Sequence, residues 1–308
     1  SRQALTLAKL PETMIVVGSG AIGSEFAWFY AALGVKVTVV EYMPRMMPLE
    51  DEEVSKTMER AFRKLRATVL TSTTVKAVKV NAEGLCEVEI EGKKGAETLT
   101  ADVVLSAVGI QSNIEGIGLE ELGVAVERDK VVVDEFYRTN VPGVYAIGDC
   151  VFGRAQLAHT ASAMGEVAAE NIMGIPAVYD ERTNPTCVYM EPEAASVGLT
   201  EEQCRAQGID YKVGKFPMSA NGKALILNGG EGLVKIIAGR EYGEVLGMHI
   251  IGPRATDLIC EGALAIGSEL TLDELAATIH SHPTVTETMR ECALDALGRA
   301  VHIPPRRK

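Results

Sequence analysis

Three glycines between an apolar run and a helix-like pattern constrain the fold of this 308-residue chain more than any other feature. Residues 14–17 are apolar, Gly18, Gly20 and Gly23 follow in the spacing G-x-G-x-x-G, and residues 21–33 repeat apolar side chains at helical spacing. The first glycine permits a tight turn, the second lets the backbone approach a pyrophosphate, and the third allows helix and strand to pack closely. The segment therefore predicts a dinucleotide-binding unit; the alternative is an ordinary glycine-rich turn.

The residues that follow predict a sheet around this unit. Residues 36–40 are β-branched and apolar, as in a strand, and residues 51–65 form an amphipathic pattern with acids in its first turn. Short alternating strands are expected over residues 68–100, and a buried strand over residues 102–108. Strands alternating with helices are typical of an α/β fold, so we expect a doubly wound, Rossmann-like domain over residues 1–112.

Glu41 follows the second strand, 18 residues after Gly23, close to the spacing at which a carboxylate binds the ribose of a dinucleotide. A carboxylate accepts hydrogen bonds from two ribose hydroxyls and repels a 2′-phosphate. Glu41 therefore favours NAD over NADP. A solvated acid at a strand end is the alternative interpretation, and the nearby Arg45 is expected to lie in a turn.

The pattern of predicted strands and helices changes after residue 112. Residues 113–182 form a shorter block, with strands expected at 130–133 and 144–147 and a helix at 161–173. Residues 183–308 read as an α+β domain. Its expected strands are 211–216, 233–238 and 244–251, and its expected helices are 256–267, 272–278 and 284–297. Capping boxes at Thr200 to Gln203 and at Thr271 to Glu274 predict two helix starts.

Composition excludes several classes of protein. The net charge of −12 disfavours nucleic acid as a partner, and the basic run 306–308 is too short to offset it. The apolar runs are too short for a membrane-spanning helix. The six cysteines are scattered, with no C-x-x-C pair, so we expect neither a metal site nor a local redox disulfide. Such cysteines fit a reducing cytoplasm.

A second motif covers residues 139–149 and ends in Tyr-Ala-Ile-Gly-Asp. An aspartate just past a strand can bind a sugar-alcohol hydroxyl or cap a helix, and chemistry alone does not choose between these roles. The segment resembles the second FAD-binding motif of the flavoprotein disulfide oxidoreductases. The resemblance implies that Asp149 binds the flavin ribityl chain. It also implies that the next segment, Gln156, Leu157, Ala158 and His159, lies against the isoalloxazine ring.

The third motif, H-x-H-P-T-x-x-E, covers residues 280–287. It is similar to the C-terminal motif of the dihydrolipoamide dehydrogenases in that family, which pass electrons from dihydrolipoamide through a redox disulfide and FAD to NAD. The resemblance implies that His282 is the acid–base catalyst and that Glu287 orients it. A histidine suits this role because a thiol needs a base near neutral pH. Alternatively, Glu287 closes a capping box with Thr284.

The resemblance extends along the whole chain. It implies that Ile22 and Glu25 face the nicotinamide, that Val75 lies beside the adenine, and that Gly109 begins the loop after the last strand of the NAD domain. Residues 110–113 depart from the family pattern, which has an arginine and a proline there.

By resemblance, residues 113–182 are a return segment of an FAD-binding domain and residues 183–308 are an interface domain. The family's first FAD motif and its C-x-x-x-x-C disulfide do not occur in these residues. We therefore expect a C-terminal portion without lipoamide activity of its own. The resemblance implies a homodimer that serves the lipoyl domain of a 2-oxo acid dehydrogenase or glycine cleavage complex. The alternatives are a non-catalytic NAD-binding and dimerising module, or another disulfide reductase of the family.

Overall fold

A computed structural model describes residues 2–304, so the basic run 306–308 lies outside the described residues. The chain forms two compact units. One contains the residues up to Val108 and those from Pro185 onward, and the other is Gly109–Asn184. Within the described residues, no helix is both long and apolar enough to cross a bilayer.

The first part of the larger unit is the predicted α/β domain. Its helices are α1 (Arg2–Leu5), α2 (Ala21–Ala32) and α3 (Glu52–Lys64). Strands β1 (Thr13–Val17), β2 (Lys36–Val40), β3 (Thr68–Leu70) and β7 (Val103–Ser106) form a parallel sheet in the order β3-β2-β1-β7. Strands β4 (Thr74–Val80), β5 (Cys86–Gly92) and β6 (Gly95–Ala101) form an antiparallel meander.

Successive side chains of the parallel strands point to opposite faces of the sheet, so the strands contribute to two apolar layers. Met14 and Val16 pack with apolar residues of α2 and α3. Their neighbour Ile15 points the other way and packs with Val88 and Ile90 of the meander. The predicted α/β class is confirmed, with helices covering one face of the parallel sheet and the meander covering the other.

The second part of the larger unit is an antiparallel sheet with helices. Strands β10 (Thr186–Val188), β11 (Glu193–Gly198), β12 (Tyr211–Pro217), β13 (Leu233–Gly239) and β14 (Val245–Gly252) form a sheet in the order β10-β11-β14-β13-β12. The helices are α6 (Glu201–Ala206), α7 (Gly222–Asn228), α8 (Ala255–Gly267), α9 (Leu272–Ala277) and α10 (Glu287–Ala296). Both predicted capping boxes are present, at the starts of α6 and α9.

A buried ionic cluster joins the two parts of the larger unit. Lys235 of β13 is 1% exposed. Its ammonium lies 2.8 Å from Asp51, which caps α3, and 2.5 Å from Glu201 of α6. A buried ammonium is stable only when its charge is compensated, so these carboxylates fix α3 against the antiparallel sheet.

The smaller unit has little regular structure. It contains α4 (Leu119–Leu122), β8 (Val126–Glu127), β9 (Lys130–Val131), the long α5 (Ala158–Ile172) and a 3-10 turn at Gly148–Cys150. The strand predicted at residues 144–147 was wrong. Only Tyr145 forms a β-bridge there, to Arg138. The backbone hydrogen bonds beside it, from Ala146 N–H to Tyr137 and from Thr139 N–H to Val144, do not extend into a longer ladder within the described residues.

Two helix starts also differ from their predictions. Helix α5 begins at Ala158, three residues earlier than expected, so Ala158 and His159 belong to its first turn. Helix α10 begins at Glu287, three residues later than expected. The hydroxyl of Thr284 donates to the carbonyl of Ser281 at 2.6 Å, so Thr284 belongs to the preceding turn and does not cap the helix.

Candidate functional site

The glycine turn between β1 and α2 is closely packed. Gly18 has a φ of +93°, and a Cβ added there would lie 2.6 Å from the carbonyl oxygen of Ala107. A Cβ at Gly23 would lie 2.0 Å from the carbonyl oxygen of Gly18. A side chain at Gly18 would press on Ala107, just after β7, and one at Gly23 would press on Gly18 within the turn, so close packing here requires glycine at both positions.

Gly20 lies at the mouth of the turn. A Cβ added there meets nothing within 4 Å, so the space before the turn is open. Gly20 is also the N-cap of α2 and, being glycine, offers no side-chain cap to that helix terminus. The first N–H groups of a twelve-residue helix therefore face an open space, an arrangement that fits a pyrophosphate.

Glu41 is 6% exposed and shapes the turn itself. Its Oε2 accepts hydrogen bonds from the backbone N–H and the hydroxyl of Ser19, both at 2.7 Å, and its Oε1 accepts from the N–H of Met43 at 2.7 Å. Ser19 was not singled out from the sequence, although a hydroxyl inside the glycine motif was a visible signal. The carboxylate therefore holds the end of β2 to the turn.

The other residues expected near the nucleotide occupy the same part of the chain. Ile22 is 41% exposed in the first turn of α2, and Glu25 lies one turn along the helix. The half-buried carboxylate of Glu25 accepts from the backbone N–H of Tyr189 at 2.9 Å. Burial raises the pKa of Glu25, and the Tyr189 N–H opposes this only in part. Val75 is half-buried on β4 and packs in the layer beneath the sheet.

His282 and Glu287 form a hydrogen-bonded pair before α10. His282 Nδ1 lies 2.9 Å from Glu287 Oε1, and the His282 side chain is 81% exposed. Because the carboxylate accepts from Nδ1–H, the Nε2 lone pair is left available. Within residues 2–304, Nε2 has no hydrogen-bond partner. This arrangement suits a residue that takes up a proton from an external group.

Glu287 also serves the local backbone. Its Oε2 accepts from the N–H of Thr284 at 3.0 Å, which is half of the alternative capping box. Burial raises the pKa of Glu287, but the hydrogen bonds from the Thr284 N–H and from His282 outweigh it, so the pKa is lowered overall. One carboxylate thus orients the histidine and fixes the turn that carries it.

His280 forms a second histidine–carboxylate pair. Its Nε2 lies 2.9 Å from Glu261 Oε1 on α8, and its side chain is only 5% exposed. His280, His282, Glu287 and Arg290 line one cavity of about 310 Å³. From the sequence, only His282 was singled out, by the resemblance of the motif to the family; the H-x-H spacing itself gives no sign of which ring is buried.

The smaller unit carries the residues expected to bind flavin. Asp149 is exposed, and its backbone carbonyl accepts from Lys130 Nζ and from Gln156 Nε2, both at 3.1 Å. In the described part of the chain, its carboxylate makes no hydrogen bond. Leu157 is the N-cap of α5 and supplies no side-chain cap, and Ala158 and His159 are exposed in the first turn.

The predicted residues therefore fall into three groups. Hydrogen bonds and packing unite the glycine turn with Glu41 in the α/β part, and His282 with Glu287 before α10. Asp149 and residues 156–159 belong to the smaller unit, which begins at Gly109, a residue with a φ of +131°. Among the described residues, no group of three or more His, Cys, Asp or Glu side chains could hold a metal ion.

Family models match most of the chain. The model described as pyridine nucleotide-disulphide oxidoreductase matches residues 1–165, and that of the dimerisation domain of the same proteins matches residues 184–293. The chain belongs to the pyridine nucleotide-disulphide oxidoreductases. The sequence resemblance and the predicted fold class are thereby confirmed. FAD and NAD, the cofactors expected from the sequence, are those used by the dihydrolipoyl dehydrogenases of this family.

Curated relatives are similar over nearly the whole chain. A dihydrolipoyl dehydrogenase of Rhizobium etli is 46% identical over 303 residues, which cover 97% of this chain and 63% of the relative. One of Bacillus subtilis is 43% identical over 305 residues, which cover 98% and 64%. The chain thus spans somewhat less than two thirds of the length of these oxidoreductases.

Solved structures show the same fold. LpdA from Mycobacterium tuberculosis superimposes with a TM-score of 0.85 at 31% identity, covering 93% of this chain and 62% of that one. The HOCl-induced flavoprotein disulfide reductase RclA from Escherichia coli gives a TM-score of 0.85 at 27% identity, covering 94% and 66%.

Proposed function

We propose that these residues are the NAD-binding and interface portion of a dihydrolipoyl dehydrogenase, which oxidises dihydrolipoamide with NAD. The observation that carries the proposal is the His282–Glu287 pair. His282 Nδ1 is hydrogen-bonded to the Glu287 carboxylate at 2.9 Å. The His282 side chain is 81% exposed, so its Nε2 is accessible to a substrate. The relatives named dihydrolipoyl dehydrogenase, at 43–46% identity, support the same assignment.

His282 performs the proton transfer in this proposal. A thiol is protonated at neutral pH, since an ordinary thiol has a pKa of about 8.5, and only its thiolate attacks a disulfide. His282 Nε2 takes the thiol proton, and the Glu287 carboxylate stabilises the imidazolium and maintains the Nδ1–H tautomer. A histidine base of this kind contributes about 10²- to 10⁴-fold to the rate.

The α/β part binds NAD in this proposal. The open space at Gly20 and the uncapped start of α2 fit the pyrophosphate. Glu41 already accepts three hydrogen bonds, and a carboxylate has about four acceptor positions, so it retains room for a ribose hydroxyl and repels a 2′-phosphate. In this proposal Ile22 and Glu25 face the nicotinamide, and Val75 lies beside the adenine.

The smaller unit binds FAD in this proposal. The Asp149 carboxylate is exposed and available to a ribityl hydroxyl. The start of the fifteen-residue α5 offers N–H groups and the surface of Ala158 and His159 to the ring system. When bound, the flavin supplies electron transfer between a disulfide and the nicotinamide.

In this proposal the redox disulfide is not supplied by residues 1–308. No two of the six cysteines have the C-x-x-x-x-C spacing, and no disulfide joins any of them within residues 2–304. We therefore propose that residues 1–308 bind nucleotide and supply His282, but do not turn over dihydrolipoamide by themselves. We also propose that the protein is a homodimer, located in the cytoplasm, that serves a lipoyl domain of a 2-oxo acid dehydrogenase or glycine cleavage complex.

The substrate distinguishes this function from its closest rival. The similarity to RclA favours, as a second candidate, another disulfide reductase of the family. Steady-state assays of the intact flavin-containing enzyme should show NAD reduction with dihydrolipoamide that greatly exceeds NADPH oxidation with glutathione disulfide. The reverse preference would establish the rival. Calorimetry on the 308-residue chain should show that NAD binds and that NADP does not. If neither bound, the proposed nucleotide site would be refuted.

A further inference from the structure

His280 differs from the other histidine of the motif in how many of its nitrogens are bound. Its Nε2 lies 2.9 Å from the Glu261 carboxylate, and its Nδ1 lies 3.1 Å from the backbone carbonyl oxygen of Thr278. Residues on both sides of His280 are exposed, yet its own side chain is 5% exposed. The ring is therefore buried between two fixed acceptors.

The two partners determine the number of protons on the ring. A carbonyl oxygen accepts hydrogen bonds and cannot donate them, and an ionised carboxylate is likewise only an acceptor. Both ring nitrogens must therefore carry hydrogen, which makes the ring an imidazolium. The hydrogen bond to Glu261 raises the pKa of His280, against the opposing effect of burial, in agreement with this proton count.

The surrounding charges are compatible with a cation at this position. Glu261 supplies the direct counter-charge from α8, and the Arg290 guanidinium on α10 opposes it from a greater distance. Glu287 and Glu291, which line the same cavity, add negative charge, and the cavity's two other histidines are His282 and His302. His282 pairs with Glu287, and His302 pairs with Glu291. Neither histidine therefore competes with His280 for the Glu261 carboxylate.

We infer that His280 is a doubly protonated positioning residue, which ties the segment carrying His282 to α8 through an ion pair with Glu261. The positioning part of this inference rests on the proposed function, in which His282 is the base. His282 is two residues away and four-fifths exposed, and among the described residues its side-chain hydrogen bond is the one to Glu287. The buried ring at His280 supplies the second attachment of the segment.

Long-range ¹H–¹⁵N spectroscopy of the histidine rings in the 308-residue chain tests the charge. His280, identified by the signal that H280N removes, should show two protonated nitrogens at pH 7.5. It should lose its second proton only at a pH above the ordinary histidine pKa of about 6.5. A single protonated nitrogen at pH 7.5 would overturn the inference, and this result does not depend on catalytic activity.

The variant E261Q tests the ion pair, with D257N on the same helix as its matched control. The glutamine carbonyl still accepts from Nε2–H but carries no charge, so His280 should lose its second proton near or below pH 6.5. D257N should leave His280 unchanged, because Asp257 is an exposed acid whose ion-pair partner is Arg254. An E261Q protein whose His280 titrates like the wild type would refute the ion pair.

Kinetics of the intact flavin-containing enzyme test the positioning role. E261Q should lower kcat for dihydrolipoamide oxidation about 3- to 10-fold, with KM within about twofold and the rate of flavin reduction by NADH unchanged. Unchanged kcat in a variant whose His280 has lost its proton would refute positioning. A wild-type enzyme without dihydrolipoamide activity would instead refute the proposed function.

Discussion

His280 and His282 are two positions apart in the sequence, and each has a ring nitrogen 2.9 Å from a glutamate oxygen, yet the two pairs are suited to different tasks. The His280 side chain is 5% exposed and both its nitrogens have acceptors. The His282 side chain is 81% exposed and, within residues 2–304, only its Nδ1 has an acceptor. A histidine–carboxylate pair therefore indicates a base only when the second nitrogen is free to reach a substrate.

The two carboxylates differ as well. Glu287 divides its oxygens between His282 and the N–H of Thr284, so it links the His282 ring to the turn before α10. Glu261 projects from α8 and links His280 to a different helix. The motif is thus fixed at two points, and one ring is left exposed between them.

The largest expected effect comes from E287Q in the intact enzyme. Glutamine offers one carbonyl acceptor for the two donors, His282 Nδ1–H and Thr284 N–H, so its amide group must face one of them. If the amide faces the ring, it favours the wrong tautomer of His282. We expect the turnover of dihydrolipoamide to fall about 100-fold.

Flavin reduction by NADH is the internal control for E287Q, because that step uses no thiol base. A comparable loss in both reactions would mean that E287Q damages the fold and would contradict the specific role of the pair. Wild-type turnover in E287Q would show that Glu287 serves only to bind the backbone N–H of Thr284.

The next effect is on stability and separates the two histidines directly. H280A removes a buried ring and leaves Glu261 without its partner, so it should lower the free energy of unfolding by about 1–3 kcal/mol. H282A removes an exposed ring and should cost less than about 1 kcal/mol. Urea unfolding of the two variants measures the difference, and equal losses would contradict the contrast in burial.

The smallest effect is a pH dependence of stability. Because the pKa of His280 is raised in the folded state, its contribution is complete below the unfolded value of about 6.5 and is lost as the pH rises through the folded value. The stability gap between wild type and E261Q should therefore shrink above pH 6.5, by at most about 1.4 kcal/mol per unit. A gap that widens with pH would have the wrong sign.

Local patterns in the sequence predicted the elements whose structure depends on near neighbours. The strand–glycine–helix segment, the two capping boxes and the amphipathic α3 all follow from spacing within a few residues. Residues 144–147 were assigned to a strand because they are apolar, but a strand needs a partner, and only Tyr145 forms a bridge.

Sequence patterns did not predict the contacts between residues that are distant in the chain. Glu41 was predicted from its spacing to bind a ribose, but its hydrogen bonds to Ser19 depend on how the turn folds back onto β2. Likewise, Tyr189 meets Glu25, and Glu261 meets His280, across different elements. The resemblance of the motif to the family thus pointed to His282, whereas the ion pair of His280 with Glu261 could be seen only once the position of α8 was known.

The central claim is that His282 is the base of a thiol reaction, while the nucleotide site is a separate part of the chain. Stopped-flow measurement of the two half-reactions in intact H282Q enzyme tests it most directly. The account predicts that flavin reduction by dihydrolipoamide slows at least about 100-fold, while flavin reduction by NADH keeps its wild-type rate. Flavin reduction by dihydrolipoamide at the wild-type rate in H282Q would contradict it.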